Sequence, residues 1–253
     1  MEITILGSGC GIPSLDRRAP SILICVKNHQ LLFDSGSGTL VRLLKAGINY
    51  TNLEQVFYTH THSDHCADLV PLLQALWTTP DFKRTAPMYL YGPLGFSDFM
   101  EKMEHAFGEW VTTPNFPLFV QELHQTEIAF SDFSVQSLPM KHSDFSNGYR
   151  IENKLGKSVV YSGDTDYNEN IIKLARDADV LVLECSFPGE RKTAGHLVPT
   201  EAAEIAKQSN CKKLVLTHFY PPYEKLEKEI INVIPKIYNG ELVIAYDFLK
   251  IIV

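Results

Sequence analysis

No apolar run in this 253-residue chain reaches the roughly eighteen residues that a membrane-spanning helix needs, so no membrane partner is expected. Cysteine is sparse. Cys10, Cys25, Cys66, Cys185 and Cys211 lie far apart with no C-x-x-C pair, which excludes a disulfide framework and predicts reduced, mostly buried thiols. Positive charge is in deficit: the formal net charge is -7. That argues against a broad nucleic-acid-binding face, and Arg17-Arg18, Lys83-Arg84 and Lys212-Lys213 are too short to supply one. The opening "MEITILGSGCG" lacks the basic-then-apolar build of a signal peptide, so a cytoplasmic location is expected. No Pro/Ser/Gly-rich linker and no low-complexity stretch divides the chain, and residues 1–253 read as one domain.

What is present is a series of strand-length apolar runs. They lie at residues 3–6, 21–26, 31–33, 55–58, 87–91, 133–138, 158–162, 179–184, 213–217 and 241–246, many of them β-branched and closed by Gly, Asp or His. Helix-like stretches lie between. "GTLVRLLKAGI" ends at Gly47, a natural C-cap, and "TEAAEIAKQSN" follows Pro199 with Thr200 as the expected N-cap. "NENIIKLARDA" and "YEKLEKEIINVI" also carry apolar residues at helical spacing. Two sheets packed face to face with helices outside would account for this order. The segment 104–119, "EHAFGEWVTTPNFPLF", reads as a loop with its own apolar residues, either a lid or partner contact or a surface loop pinned to the core.

Six ligand-capable residues stand where apolar runs stop. Asp34 closes "LLF", His60 follows "QVFYT", His142 follows "SLPMK", Asp164 follows "VVYSG", Glu184 ends "DVLVLE", and His218 follows "KLVLT". Strand ends are where α/β architectures build ligand sites, so the repetition points to one shared site. Within "HTHSDH", His60 and His62 are two apart in an extended segment and can reach one ion. Ser63-Asp64 would start a helix through "DHCADLVPLLQAL", placing Asp64 and His65 at a neighbouring point. Imidazole with carboxylate suits zinc, with manganese or iron as rivals. His29, His105 and His124 have no such context and read as ordinary surface or core histidines. Ser35-Gly36-Ser37-Gly38 has the look of a phosphate loop but lacks a following Lys.

The H-x-H-x-D-H motif at His60, His62, Asp64 and His65, with "SGDT" at Asp164 and "LTHF" at His218, resembles the metallo-β-lactamase superfamily. "LGSGCGIPSLDRRAPS", "YGPLGF", "GYRIE" and "GHLVPTEAAEIA" narrow the resemblance to its ribonuclease Z and small-phosphodiesterase branch, over nearly the whole chain. The resemblance implies an α/β fold, a four-layer αββα sandwich of two mixed sheets flanked by helices. It implies two zinc ions: one on His60, His62 and His142, one on Asp64, His65 and His218, with Asp164 between them. Asp34 would orient ligands from behind, and His196 paired with Glu184 would face a scissile phosphate.

The reaction implied is phosphodiester hydrolysis by a metal-bridging hydroxide that Asp64 helps orient, with His196 as general acid. Alternatives are a ribonuclease Z-type tRNA 3′-end endonuclease, or an aryl sulfate or ester hydrolase on the same metals. The branch's tRNA-gripping arm would lie between "GYRIE" and "GKSVVYSGDT", where only Asn153, Lys154 and Leu155 stand. Its absence argues for a small or flexible phosphodiester substrate over folded tRNA. The resemblance also implies a homodimer.

Overall fold

The apolar runs become strands buried on both faces. The computed structural model describes residues 1–253. Its first half runs β1 (Glu2–Gly7), β2 (Ser21–Val26), β3 (His29–Phe33), α1 (Thr39–Lys45), β4 (Gln55–Phe57), α2 (Ser63–Cys66), α3 (Leu69–Thr78), β5 (Met88–Gly92), α4 (Phe96–Phe107) and β6 (Leu118–Glu122). The second half runs β7 (Glu127–Ala129), β8 (Phe133–Pro139), β9 (Asn147–Asn153), β10 (Ser158–Tyr161), α5 (Glu169–Leu174), β11 (Val180–Glu184), α6 (Pro199–Ser209), β12 (Lys213–Thr217), α7 (Tyr223–Val233), β13 (Glu241–Ile244) and β14 (Lys250–Ile252).

Two seven-stranded sheets result, ordered β14-β1-β2-β3-β4-β5-β6 and β13-β12-β11-β10-β9-β8-β7. In each, four neighbouring strands run parallel and the rest antiparallel. The layering follows from side-chain alternation along each strand. Ile3, Ile5, Phe33, Phe57, Tyr149, Ile151, Val180 and Val182 fill the space between the sheets. Leu181 and Leu183, the alternate residues of β11, face outward onto Ile171 and Leu174 of α5 and Ala202 and Ala206 of α6. Leu32, Val56 and Leu90 face outward from the first sheet onto Leu69, Leu72, Leu73 and Leu76 of α3. This is the αββα sandwich.

Register then brings the strand ends together. Phe33 pairs with Phe57, Tyr161 with Val182, and Glu184 with Thr217. The residues that follow β3, β4, β10, β11 and β12 therefore emerge at one edge. Strand β8 is antiparallel to β9, which is antiparallel to β10, so β8 also delivers its following residues there.

Local details both match and correct the sequence reading. Helix α1 ends as expected at Gly47 (φ 77°): Gly47 N–H bonds Leu44 O and Ile48 N–H bonds Leu43 O, which satisfies two terminal carbonyls. The continuous helix expected from Asp64 to Leu76 is instead broken into α2 and α3. Asp68 sits at the break because its carboxylate accepts the N–H groups of Gly38 (3.0 Å) and Leu40 (2.9 Å) at the start of α1. Helix α6 begins at Pro199, not after Thr200: Val198 is the cap residue, and Glu201 turns back to accept its N–H at 3.2 Å. Proline at the first helical position needs no partner for a missing N–H.

The segment 104–119 is not a free loop. Residues 104–107 are the last turn of α4, whose Phe96, Phe99, Met100 and Met103 repeat at helical spacing. A 3-10 turn covers Glu109–Val111, and Val111 and Phe116 are buried. Gly36 in the Ser35–Gly38 stretch has a packing role: a Cβ there would stand 2.0 Å from the Asp64 carbonyl oxygen, so glycine lets two backbones touch. No helix is long and apolar enough to cross a membrane.

Candidate metal centre

The edge where the strands stop holds a cage of imidazoles and carboxylates. His60 Nε2 lies 3.0 Å from His62 Nδ1, which lies 3.1 Å from His142 Nε2. Close by, His65 Nε2 and His218 Nε2 are 3.3 Å apart, and Asp64 Oδ2 is 3.6 Å from His218 Nε2 and 3.9 Å from His65 Nε2. Asp164 faces both groups. Its Oδ1 is 3.2 Å from both His65 Nε2 and His218 Nε2, and its Oδ2 is 3.8 Å from His60 Nε2 and 3.6 Å from His142 Nε2.

Nitrogen facing nitrogen at such distances is not a sensible way to bury imidazoles by themselves. Ligand atoms of a tetrahedral ion, each about 2.0–2.1 Å from it, stand about 3.3 Å apart. The spacings in both groups fit that geometry. Asp164 Oδ1 supplies the independent observation: it is buried and has no hydrogen-bond partner. A buried carboxylate oxygen without a donor is costly unless a cation lies beside it. The donor set therefore fits divalent metal.

In His60, His65, His142 and His218 a partner on Nδ1 fixes which nitrogen points in, while His62 turns Nδ1 inward. His65 Nδ1 donates to Asp34 Oδ2 at 2.7 Å and His142 Nδ1 to the Gly195 carbonyl at 2.9 Å. His60 Nδ1 meets Thr59 Oγ1 at 3.0 Å, and His218 Nδ1 meets Ser186 Oγ at 3.0 Å. Each of these four rings thereby offers its Nε2 to the cage. Asp34 is fully buried and also accepts from Thr59 N (2.8 Å) and Tyr161 OH (2.9 Å). Backbone strain accompanies this. Asp34 (φ 56°) and His218 (φ 61°) both adopt the left-handed region, a conformation that costs non-glycine residues of order 1 kcal/mol and recurs at functional sites. Gly163 (φ 56°) also permits close approach, since a Cβ there would stand 2.6 Å from Thr59 Cβ.

The electrostatics hold His60 and Asp64 in the binding form; for His65, burial is outweighed by Asp164 and Asp34, which raise its pKa, so this ring gives up a proton when it takes metal. Burial, then the neighbouring His65 charge, pushes the His60 imidazole well below its usual range, so it stays neutral. Burial raises the Asp64 carboxyl, but the hydrogen bond and charge of His218 outweigh it and hold Asp64 at about 2.

Beside the cage stands a second pair. His196 Nδ1 is 2.9 Å from Glu184 Oε1, and Glu184 is fully buried. Glu184 also accepts from Thr165 N at 2.9 Å, Ser186 Oγ at 2.7 Å and Leu197 N at 3.1 Å. Burial alone would lower His196; the hydrogen bond and charge of Glu184 more than offset it and raise its pKa. The His196 ring lies 4.9 Å from the His142 ring and 5.6 Å from the His218 ring, centroid to centroid.

Residues 29–219 match the family model described as the β-lactamase superfamily domain. The chain belongs to that superfamily. It is 30% identical to ribonuclease Z of Bacillus subtilis, an alignment covering 99% of this chain and 98% of the relative. That alignment runs over 315 positions against 253 residues here, so the relative carries segments this superfamily member does not have. Among solved structures, the short form of human tRNase Z is 28% identical over 100% of this chain and 99% of that one, with a TM-score of 0.80. The metallo-β-lactamase fold protein YhfI of Bacillus subtilis reaches a TM-score of 0.83 at 24% identity, covering 99% and 98%, and speaks for the fold alone. The chain is thus a metal-dependent hydrolase of the metallo-β-lactamase fold, and its His/Asp clusters are candidate sites for divalent metal.

The structure brings together every candidate drawn from the sequence: His60, His62, Asp64, His65, His142, Asp164, His218, His196, Glu184 and Asp34. His29, His105 and His124 lie outside the cage; His29 faces Asp132 at 3.3 Å and His105 bonds its own helix. Sequence reasoning missed the supports Thr59, Tyr161, Ser186 and the Gly195 carbonyl. Thr59 and Ser186 were visible only as hydroxyls beside flagged residues, in "YTHTH" and "LECSF".

Proposed function

We propose that this hydrolase cleaves phosphodiesters, with two divalent ions, zinc by the chemistry of the donor set, held by His60, His62 and His142 on one side, by Asp64, His65 and His218 on the other, and by Asp164 between. The ions would polarise phosphoryl oxygens and lower the pKa of a bound water to about 7.

The protein's own groups do the rest. Asp64, held ionised, stands at the cage rim to orient the attacking water. Nδ1 of His196 is committed to Glu184, so the transferable proton resides on Nε2. That proton would go to the departing alkoxide, and Glu184 keeps the imidazolium supplied with a counter-charge. The Gly195 carbonyl that holds His142 belongs to the residue before His196, so cage and acid are tied through one peptide. The observation that carries the reading is this His196–Glu184 pair beside the cage. A charged donor of that kind serves a poor alkoxide leaving group.

Bis(p-nitrophenyl) phosphate tests the proposal. Turnover should vanish on chelation and in Asp64→Ala, while His196→Ala should keep its metal, lose little rate on this activated aryl diester and lose most of it on an alkyl diester, whose leaving group needs the proton. A folded, metal-loaded protein with no turnover would refute it.

A second reading, tRNA 3′-end cleavage, is favoured by the relatives named ribonuclease Z. Against it stands the turn between β9 and β10, where Asn153 Oδ1 accepts the N–H groups of Leu155 and Lys157 and Gly156 takes φ 73°. No arm extends from that turn to grip an RNA. Cleavage of a pre-tRNA at stoichiometric enzyme would decide for it.

A further inference from the structure

The loop that carries His60, His62, Asp64 and His65 has a second side. Thr61, Ser63, Cys66 and Ala67 form one wall of a cleft of about 790 Å³, which α3 continues with Val70, Pro71 and Gln74. The opposite wall is Phe99, Met103 and Phe107 of α4 with Trp110 of the following turn. The cleft is mostly apolar and of the size that takes small organic groups, about 300–1,000 Å³.

Three features specify its occupant. The far wall is three aromatic rings and a thioether, a surface suited to offset stacking and sulfur–ring contacts. Trp110 is braced for this: it stacks on Trp77 (centroids 5.8 Å) and its Nε1 donates to the Phe107 carbonyl at 2.9 Å. The near wall is the metal loop itself, locked by the Cys66 thiol, which lies 3.4 Å from the Thr61 carbonyl and 3.3 Å from that of His62. The cleft and the candidate metal centre thus lie on the two sides of one exposed loop, with Thr61 and Ser63 facing the cleft and His62 between them facing the cage.

We propose that this cleft binds the planar aromatic arm of the substrate, the ester group that stays on phosphorus while the other leaves. The chemistry rests on the phosphodiesterase reading above; the cleft's preference for an aromatic group does not. It also gives the segment that read as a loop a role: Phe107 and Trp110 build the specificity wall.

The test holds the leaving group constant and varies the spectator arm. Methyl 4-nitrophenyl phosphate and 1-naphthyl 4-nitrophenyl phosphate are compared with metal-loaded protein. The naphthyl diester should show at least about tenfold higher kcat/KM, mostly through KM. Phe107→Ser, at a side chain 53% exposed, removes part of the wall; Gln74→Trp, on an exposed helix face, fills the cleft. Both should bring the ratio towards one. A ratio unchanged in both variants overturns the proposal. If neither diester is hydrolysed, the phosphodiesterase reading falls and the cleft is judged by titrating 1-naphthyl phosphate, followed by naphthyl fluorescence. Binding about tenfold weaker in both variants supports the cleft, and equal binding overturns it. Should the variants convert a dimer to a monomer in sedimentation, the cleft is a subunit contact and the proposal also fails.

Discussion

Replacing Asp34 by Asn exchanges one carboxylate oxygen for an amide nitrogen and should disable one half of the cage. Asp34 Oδ2 now accepts from His65 Nδ1 (2.7 Å) and Tyr161 OH (2.9 Å), while Oδ1 accepts from Thr59 N (2.8 Å). In the Asn variant the backbone bond from Thr59 keeps the amide oxygen at Oδ1. The amide nitrogen then occupies the Oδ2 position and donates towards His65 Nδ1. That nitrogen must become an acceptor, so the proton moves to His65 Nε2, which stands 3.2 Å from Asp164 Oδ1 and 3.3 Å from His218 Nε2. An Nε2–H cannot ligate. The ring keeps its place and loses its lone pair, the same tautomer logic by which Asp-to-Asn changes disable catalytic histidines.

Partners of this kind are worth about 10–100-fold in metal affinity, or about 1.4–2.7 kcal/mol. The upper end applies here, because the proton is misplaced and not merely unsupported. The loss should be one-sided. His60 Nδ1 rests on Thr59 Oγ1, which still has Oδ1 as an acceptor at 3.1 Å. Calorimetric titration of apo protein with zinc should therefore resolve one site near wild-type affinity and one weakened about a hundredfold. The substitution is nearly isosteric, so circular dichroism and melting should change little. Two sites of unchanged affinity in Asp34→Asn would refute the reasoning, as would equal weakening of both.

Other outcomes follow from the same structure. Glu184→Gln should lower turnover of an alkyl phosphodiester about 10²–10³-fold with both metals retained, because Glu184 bonds His196 directly and reaches the ligand His218 only through Ser186 Oγ; loss of metal would contradict this. Phe57→Ala should cost about 3–5 kcal/mol in urea unfolding, since Phe57 is fully buried between Phe33 (4.9 Å) and Tyr91 (4.5 Å). Asp179 accepts from Lys212 (2.8 Å), Lys157 (3.1 Å) and Ser158 N (3.0 Å). Burial opposes its ionisation, but these partners prevail and hold it at about 2. Its folded pKa lies below the unfolded value of about 3.9, so the stabilisation is present above pH 4 and is lost as pH falls towards 2. Asp179→Asn should thus cost about 1 kcal/mol at pH 7 and almost nothing at pH 2; a pH-independent difference would refute the linkage. Gly36→Ala should destabilise the fold and weaken metal binding together, because its Cβ would displace the Asp64 backbone.

Strand ends were legible because two physical rules coincide there. Doubly buried strands read as unbroken apolar runs, and polar residues that bind a ligand must stand where the run stops. That is why Asp34, His60, Asp164, Glu184 and His218 could be assembled from the chain alone, and why β10, β11 and β12 were found. Strands β6, β7, β9 and β14 were missed for other reasons. Leu118–Glu122 begins inside the segment that reads as a loop, 104–119, although Leu118-Phe119-Val120 is apolar; Glu127–Ala129 and Lys250–Ile252 are short and mostly exposed, and β9 opens on Asn147-Gly148. Helix α4 carried its signal in Phe96, Phe99, Met100 and Met103 at helical spacing, but its last turn falls inside the segment that reads as a loop, 104–119. The break at Asp68 was invisible because its cause is a bond to another helix thirty residues away.

The same contrast separates ligands from their supports. A ligand must be His or Asp, so residue type and spacing expose it. Thr59, Ser186 and the Gly195 carbonyl do their work with a hydroxyl or a peptide oxygen, groups too common in any chain to signal a role. Yet these decide the tautomers. Without Asp34, Thr59, Ser186 and Gly195 O behind them, the rings of His65, His60, His218 and His142 would be free to turn a protonated nitrogen inward. The motif therefore states which elements can be metal ligands, and the fold states which nitrogen each of them offers.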